Sequence, residues 1–179
     1  MGQGSVALSS DSTRRISAVA GTVFFLLIAP GTVAGLVPWW ISSWQVRAPL
    51  LNFPSLRWLG VLLIVAGVPV LLDSFARFAL KGLGTPAPVF PTRHLVVSGL
   101  YRYVRNPMYL AVAAVIIGQG LLFGDVRVLA YGVFVCLGFH VFVLLYEEPA
   151  LRRTFGAEYK NFCANVGRWI PRLRAWHVG

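Results

Sequence analysis

The stretch LVVSGLYRYVRNPMY, residues 95–109, lies between apolar runs and carries two arginines and three tyrosines. Pro107 predicts that a helix begins there, because proline suits a first helical position whose N–H has no partner. Asn106 is a residue type that caps such a helix. A helix N-terminus beside Arg102 and Arg105 suits a carboxylate or a phosphate. The same arginines are equally suited to holding the chain at a membrane surface, so the spacing alone leaves both interpretations open.

The composition around this stretch is that of a membrane protein. Of 179 residues, 57% are hydrophobic and 12% are charged, with a mean hydropathy of +0.70. Soluble domains carry about 25% charged residues, so we expect a chain built for lipid. We predict a disordered tail over 1–15 and one multi-pass membrane domain over 16–179. Cys136 and Cys163 show no ligand spacing, which argues against a disulfide framework or a metal site.

Apolar runs on both sides of the stretch predict an all-α membrane protein with four transmembrane helices. A bilayer core of about 30 Å needs roughly 20 helical residues. The predicted spans are 16–40, 56–80, 108–123 and 128–146. The third is the shortest and covers about 24 Å as a helix. The first also has the pattern of a cleaved signal peptide, but its length and the interfacial Pro38-Trp39-Trp40 favour a span.

Local patterns add detail to these helices. Asp73 and Arg77 lie four residues apart in the second span, where opposite charges pair on one face. Gly124-Asp125 predicts a tight turn between the third and fourth spans, and the fourth is expected to end at Glu147-Glu148-Pro149. Beyond Pro149, apolar residues recur every three or four positions, which predicts amphipathic helices broken at Gly156 and Gly167 on the cytoplasmic membrane surface.

The basic residues predict the orientation of the chain in the membrane. With four spans, twelve lysines and arginines fall on the side of both termini, against three on the other side. The twelve are Arg14, Arg15, Lys81, Arg93, Arg102, Arg105, Arg152, Arg153, Lys160, Arg168, Arg172 and Arg174, and the three are Arg47, Arg57 and Arg127. The positive-inside rule therefore puts both termini and the 95–109 stretch in the cytoplasm. The net charge of +10 suits anionic headgroups, and no soluble basic face for nucleic acid is evident.

Three polar elements are expected to meet at this membrane face. They are the glycine- and proline-rich connector at 82–88, the arginine and tyrosine stretch, and the acidic pair Glu147 and Glu148. Acidic side chains are unfavourable at a helix C-terminus, so the pair indicates a cationic partner, either the arginines or a ligand. His140 lies two helical turns before Glu147 on the same face, where a histidine satisfied within the bundle is the alternative to a functional one.

Several of these motifs, in order, resemble the integral-membrane methyltransferases, a group that includes isoprenylcysteine carboxyl methyltransferases and phospholipid N-methyltransferases. The motifs are GLY at 99–101, RNPMY at 105–109, EE at 147–148 and FGAEY at 155–159. The resemblance covers roughly 81–171. Asn106 stands where the family usually has the histidine of Arg-His-Pro-x-Tyr, and it keeps hydrogen bonding but cannot titrate near neutral pH.

The resemblance implies S-adenosyl-L-methionine as methyl donor and S-adenosyl-L-homocysteine as product. By position, the implied cofactor contacts are Gly82, Gly84, His94, Leu95, Val96, Tyr101, Asn106, Pro107, Met108, Tyr109, Glu147 and Glu148. The chemistry is compatible, because carboxylates attract the sulfonium and ammonium of the cofactor. Its own carboxylate suits arginines and a helix N-terminus.

The implied acceptor is a lipid-like molecule that arrives from the bilayer. A carboxylate acceptor needs only cationic positioning, for which Arg102 and Arg105 are the substrate-binding candidates. An amine acceptor must lose a proton, which Glu148 or His140 is placed to take. Arg105, Glu148 and His140 are thus the catalytic candidates. Isoprenylcysteine enzymes place an arginine four residues before the acidic pair, where this chain has Val143, so a phospholipid amine is slightly favoured.

Two other functional classes stay open at this point. Membrane sterol reductases that use NADPH have a similar arginine-x-proline-x-tyrosine stretch, although they are typically much longer. A non-enzymatic four-span scaffold is the other alternative. The expected partners are the bilayer and a membrane lipid or lipidated small molecule, with no metal, nucleic acid or obligate protein partner indicated.

Overall fold

The computed structural model describes residues 20–21, 23–80, 95 and 97–177, except for the side chains of 78–80. Within these residues the chain is helical and contains no strand, which confirms the all-α class. The helices are α1 (Val23–Ser42), α2 (Ser55–Leu80), α3 (Pro107–Phe123), α4 (Val126–Phe142) and α5 (Glu148–Asn165). Short 3₁₀ turns occupy Leu50–Asn52 and Gly99–Arg102.

Three helices of the described chain are long and apolar enough to cross a membrane. They are Val23–Ser42, Ser55–Arg77 and Val126–Asn165, whereas the apolar helix Pro107–Phe123 is shorter. The last of the three combines α4 and α5 through a π-helical turn at Val143–Glu147. The fourth predicted span therefore does not end at Glu147 and Glu148, as the sequence suggested. The helix runs on through both acids, and Gly156, with φ +49°, breaks it where predicted.

A proline follows each of the two π-helical turns of the described chain. Pro38 and Pro149 each follow a π-turn by two residues, the turns being Thr32–Leu36 and Val143–Glu147. Proline has no N–H and its ring collides with the carbonyl four residues earlier, so a wider turn lets the helix continue. Each turn closes with an N–H that reaches back five residues, as from Glu148 to the carbonyl of Val143.

The carbonyl that Pro38 leaves without its helical donor is satisfied from another helix. Gln119 of α3 is buried, and its Nε2 donates to the carbonyl of Ala34 at 2.6 Å. Its Oε1 accepts from Trp44 Nε1 at 3.0 Å. One amide thus ties α1 and the segment after it to α3, because a buried polar group is stable only when it is paired.

Small residues bring α2 and α3 close together. A Cβ added to Gly60 would lie 2.6 Å from the carbonyl oxygen of Gly118, and one added to Gly118 would lie 2.8 Å from that of Gly60. Such contacts let two helix backbones approach closely in lipid, where packing drives association. The core between the helices contains Ala34, Leu71, Phe75, Ala111, Val112, Val115, Ile116 and Val128.

The hydrogen bonds define two ends of the bundle. At one end, Arg47 N donates to Phe123 O at 2.9 Å, and the predicted turn at Gly124 is present with φ +69°. At the other end, the predicted pair of Arg77 and Asp73 forms with donor–acceptor distances of 2.6 and 2.8 Å. The 99–109 stretch and the acidic pair lie at this second end. Its cytoplasmic location stays a prediction.

Some sequence predictions lie outside the described residues. They are the tail over 1–15, the connector glycines Gly82 and Gly84, and the implied cofactor contacts His94 and Val96.

Candidate functional site

The start of α3 is where the sequence placed it, but Asn106 acts differently. Asn106 occupies the N-cap position before Pro107, yet its side chain makes no capping hydrogen bond. Its Nδ2 instead donates to the carbonyl of Arg168 at 3.2 Å. Asn106 therefore fastens the C-terminal segment to the site rather than capping the helix with its side chain.

The C-terminal segment 166–177 is non-helical and lies along the 102–106 stretch. Three backbone hydrogen bonds of 2.9 Å connect the two: Arg105 N to Gly167 O, Arg172 N to Tyr103 O and Trp176 N to Arg102 O. The sequence predicted an interfacial helical region here, so this backbone pairing was missed. These bonds fix the arginine stretch against the C-terminal segment.

Glu147 and Tyr109 form the first part of the site. Tyr109 is on the first turn of α3, and its hydroxyl donates to Glu147 Oε2 at 2.7 Å. Both side chains are half-buried. No arginine, lysine or histidine pairs with the Glu147 carboxylate within the described part of the chain. A shielded carboxylate without a protein cation is suited to a cationic ligand.

Aromatic rings surround this tyrosine. The ring of Phe139 lies 4.7 Å from that of Tyr109, and the ring of Trp169 lies 6.4 Å away, edge to face. Trp169 Nε1 also donates to His140 Nδ1 at 3.0 Å. Aromatic faces attract cations such as a sulfonium or an ammonium. We call Glu147, Tyr109, Phe139 and Trp169 the acid–aromatic site.

Tyr101 is buried, with 7% of its surface exposed. Its hydroxyl is hydrogen-bonded with Ser74 of α2, and it lies within electrostatic range of Glu147 and of the pair formed by Asp73 and Arg77. Burial raises the pKa of Tyr101 above its ordinary value, so it stays a neutral phenol. Tyr101 therefore connects α2 to the acid–aromatic site.

Glu148 has a different environment from its neighbour. It is buried and contacts three arginines, which we call the arginine cluster. Arg168 Nε and Nη2 donate to its two oxygens at 2.6 and 3.1 Å, Arg105 Nη1 donates at 3.1 Å, and Arg152 Nη2 donates at 3.3 Å. Arg105 also donates to Cys163 Sγ at 2.8 Å. The hydrogen bond to Glu148 raises the pKa of Arg168, which lies beyond the helix. The cluster carries a net positive charge.

The remaining candidates are distributed around these two groups. Arg102 is half-buried and turned toward the C-terminal segment, where its Nε donates to the carbonyl of Trp176 at 2.9 Å. Leu95 packs against the buried group of Tyr159, Phe162 and Val166. Pro107 is buried and Met108 packs against the bundle core. Sequence reasoning missed Arg168 and Trp169, because one arginine among several in a polar tail carries no distinguishing signal.

Comparison with known families agrees with this geometry. Residues 56–158, more than half of the chain, match the sequence model of phospholipid methyltransferases. The chain belongs to the phospholipid methyltransferase family. The match includes α2, α3, Tyr101, Tyr109 and both acids, and it confirms the resemblance found in the sequence motifs. Membership implies methyl transfer to a membrane substrate, and the apolar helices identify an integral membrane protein. No curated protein and no solved structure matches the chain.

Proposed function

We propose that this protein transfers a methyl group from S-adenosyl-L-methionine to the amine of a membrane phospholipid. The observation that carries the proposal is the half-buried carboxylate of Glu147, which accepts a hydrogen bond from Tyr109 and pairs with no cation of the described chain. When bound, S-adenosyl-L-methionine supplies an electrophilic methyl group on a positively charged sulfur. The acid–aromatic site offers the carboxylate and the aromatic faces that such a charge requires.

The implied cofactor contacts are compatible with this placement. Tyr101, Tyr109 and Glu147 come together at the end of the bundle where α3 begins, beside the buried Asn106 and Pro107. The first turn of α3 presents backbone N–H groups that suit the cofactor carboxylate. We therefore keep these residues as proposed cofactor contacts. Glu148 is better assigned to holding Arg105 and Arg168, because its two oxygens are already engaged by arginines.

The contacts also favour one proton acceptor over the candidates chosen from sequence. A phospholipid amine is protonated in water and must lose a proton before it attacks. Three arginines already engage the two oxygens of Glu148, which leaves this carboxylate less available to an amine proton. His140 Nδ1 accepts from Trp169, which uses the only lone-pair nitrogen of a neutral imidazole. Glu147 carries fewer hydrogen bonds, so we propose that it takes the amine proton as well as attracting positive charge.

A methylation assay in lipid nanodiscs tests the proposal. Protein is reconstituted with phosphatidylethanolamine, and tritiated S-adenosyl-L-methionine is supplied. Label is expected in the lipid, and Glu147→Gln is expected to reduce the rate at least tenfold, since a charged hydrogen bond contributes about 1.5–3 kcal/mol. Glu158→Gln is the matched control, because Glu158 is exposed on α5.

Four outcomes would contradict the proposal. Labelling of N-acetyl-farnesylcysteine with no labelling of phosphatidylethanolamine would indicate that the methyl acceptor is a carboxylate instead of an amine. Binding of NADPH with no binding of S-adenosyl-L-homocysteine would indicate a reductase, and binding of neither would favour a scaffold. Equal rates for Glu147→Gln and Glu158→Gln would remove Glu147 from the site.

A further inference from the structure

A cleft of about 480 Å³ opens where the end of α2 meets the Gly99–Arg102 turn and the C-terminal segment. Its lining includes Arg77, Ser98, Gly99, Arg102 and Trp176, and no carboxylate among the described residues. The sequence named Arg102 only as a candidate for positioning a carboxylate acceptor, and no other methyl-transfer role assigned above uses a residue of this lining. The lining thus offers two guanidinium groups and a hydroxyl, which are hydrogen-bond donors suited to an anion.

Arg102 is held in the cleft by hydrogen bonds to Trp176, and one nitrogen of its guanidinium has no partner among the described residues. Its Nε donates to the carbonyl of Trp176 at 2.9 Å, and the N–H of Trp176 donates back to the carbonyl of Arg102 at 2.9 Å. Its Nη2 is buried and finds no hydrogen-bond partner within the described part of the chain. A buried guanidinium N–H without an acceptor is costly, so Arg102 retains an unsatisfied donor.

Arg77 is fixed in the same cleft by a different set of contacts. Asp73 holds it through Nε and Nη2, and its Nη1 lies 3.4 Å from Ser98 Oγ. The guanidinium rests directly on the backbone of Gly99, where an added Cβ would collide with it. Gly99 also has φ +56°, a conformation that glycine adopts without strain. Asp73 neutralises Arg77, so the fixed pair adds hydrogen-bond donors, and Arg102 supplies the uncompensated charge.

The position of the cleft indicates which anion it takes. Arg77 is at the last turn of the span Ser55–Arg77, and Trp176 beside it is a residue type typical of the membrane–water interface. Tyr101 lies within electrostatic range of both Arg77 and Glu147, so the cleft and the acid–aromatic site are at the same end of the bundle. We propose that this cleft binds the phosphate of a phospholipid headgroup and so presents the attached amine to Glu147. The second half of this proposal rests on the proposed function, whereas the phosphate site is tested without methyl transfer.

Calorimetric titration of the detergent-solubilised protein with dihexanoylphosphatidylethanolamine tests the site. Arg102→Gln is expected to weaken binding at least tenfold, the loss that removal of a charged hydrogen bond predicts. Arg174→Gln, which changes an exposed arginine of the C-terminal segment, is the matched control and should bind as the wild type does. Gly99→Ala, which displaces the Arg77 guanidinium, should also weaken binding. Thermal unfolding of each variant shows that the fold is retained.

Comparison of ligands separates the possible sources of the anion. Dihexanoylglycerol, which lacks the phosphate, should bind equally to the wild type and to Arg102→Gln. Inorganic phosphate should bind far more weakly than the lipid, and equal affinities would contradict a headgroup site. The proposal is also overturned when Arg102→Gln and Arg174→Gln bind the lipid alike.

In the methylation assay, Arg102→Gln should raise KM for the lipid and leave the affinity for S-adenosyl-L-homocysteine unchanged. Failure of methylation with retained, Arg102-dependent lipid binding would reject the proposed function but keep the phosphate site.

Discussion

Arg168 is expected to stabilise the protein more than any other residue of the C-terminal segment. Its Nε and Nη2 donate to both oxygens of the buried Glu148, and its carbonyl accepts from Asn106. Removal of a charged hydrogen bond costs about 1.5–3 kcal/mol. Arg105 and Arg152 still neutralise Glu148 after Arg168→Gln, and the Arg168 side chain is 28% exposed, so water replaces part of the loss. We expect a decrease of about 2 kcal/mol in the free energy of unfolding.

Substitution of the partner carboxylate, Glu148, should lower the free energy of unfolding more than Arg168→Gln does. Glu148→Gln removes the carboxylate that neutralises Arg105, whose side chain is only 11% exposed. An uncompensated buried charge costs about 3–5 kcal/mol. In the double variant, loss of Arg168 should add little, because its partner is already gone. This non-additivity distinguishes a direct contact from two independent effects.

Reversible unfolding in mixed micelles, followed by tryptophan fluorescence, measures these free energies. Arg174→Gln is the matched control and should change the free energy of unfolding by less than about 0.5 kcal/mol, as exposed substitutions do. Equal effects of Arg168→Gln and Arg174→Gln would refute the arginine cluster as described. Additive effects of Arg168→Gln and Glu148→Gln would refute their direct contact.

Two further predictions concern stability. Gln119→Ala should lower the free energy of unfolding by about 1–3 kcal/mol, because the carbonyl of Ala34 loses its donor; the same unfolding assay measures this, and Gln45→Ala, an exposed glutamine, should have little effect. The Arg127 guanidinium beside Asp125 holds the pKa of that carboxyl below its usual range. Its contribution is therefore present above the unfolded pKa of about 3.9 and is lost as the pH falls toward the lower folded pKa. Unfolding titrated from pH 7 to pH 2 should show this acid loss in the wild type but not in Asp125→Asn, and identical pH profiles would contradict it.

Local patterns predicted the parts of the fold that depend on single elements. The apolar runs predicted the helices, and the four-residue spacing predicted the ion pair of Asp73 and Arg77. Gly156 predicted the kink in α5. The continuation of the last helix through Glu147 could not be predicted. Pro149 argues for a helix end, and whether the helix continues past a proline depends on packing.

The candidate site was predictable in its residue types but not in its pairings. Adjacent acids looked equivalent in the sequence, yet Glu147 faces Tyr109 and Glu148 faces three arginines. Adjacent residues on a helix point in directions about 100° apart, so they meet different neighbours. Arg168 reaches Glu148 only because the C-terminal segment folds back along the 102–106 stretch, a contact between distant parts of the chain.

The most direct measurement of the central claim is the affinity of the Glu147→Gln variant for two cofactor forms. S-adenosyl-L-methionine carries a sulfonium, whereas S-adenosyl-L-homocysteine carries a neutral sulfur and the same ammonium. By calorimetric titration, the variant should lose at least tenfold in affinity for S-adenosyl-L-methionine and less for S-adenosyl-L-homocysteine, with Glu158→Gln unchanged for both. Wild-type affinities for both ligands in Glu147→Gln would contradict the claim that this carboxylate holds the positive charge of the methyl donor.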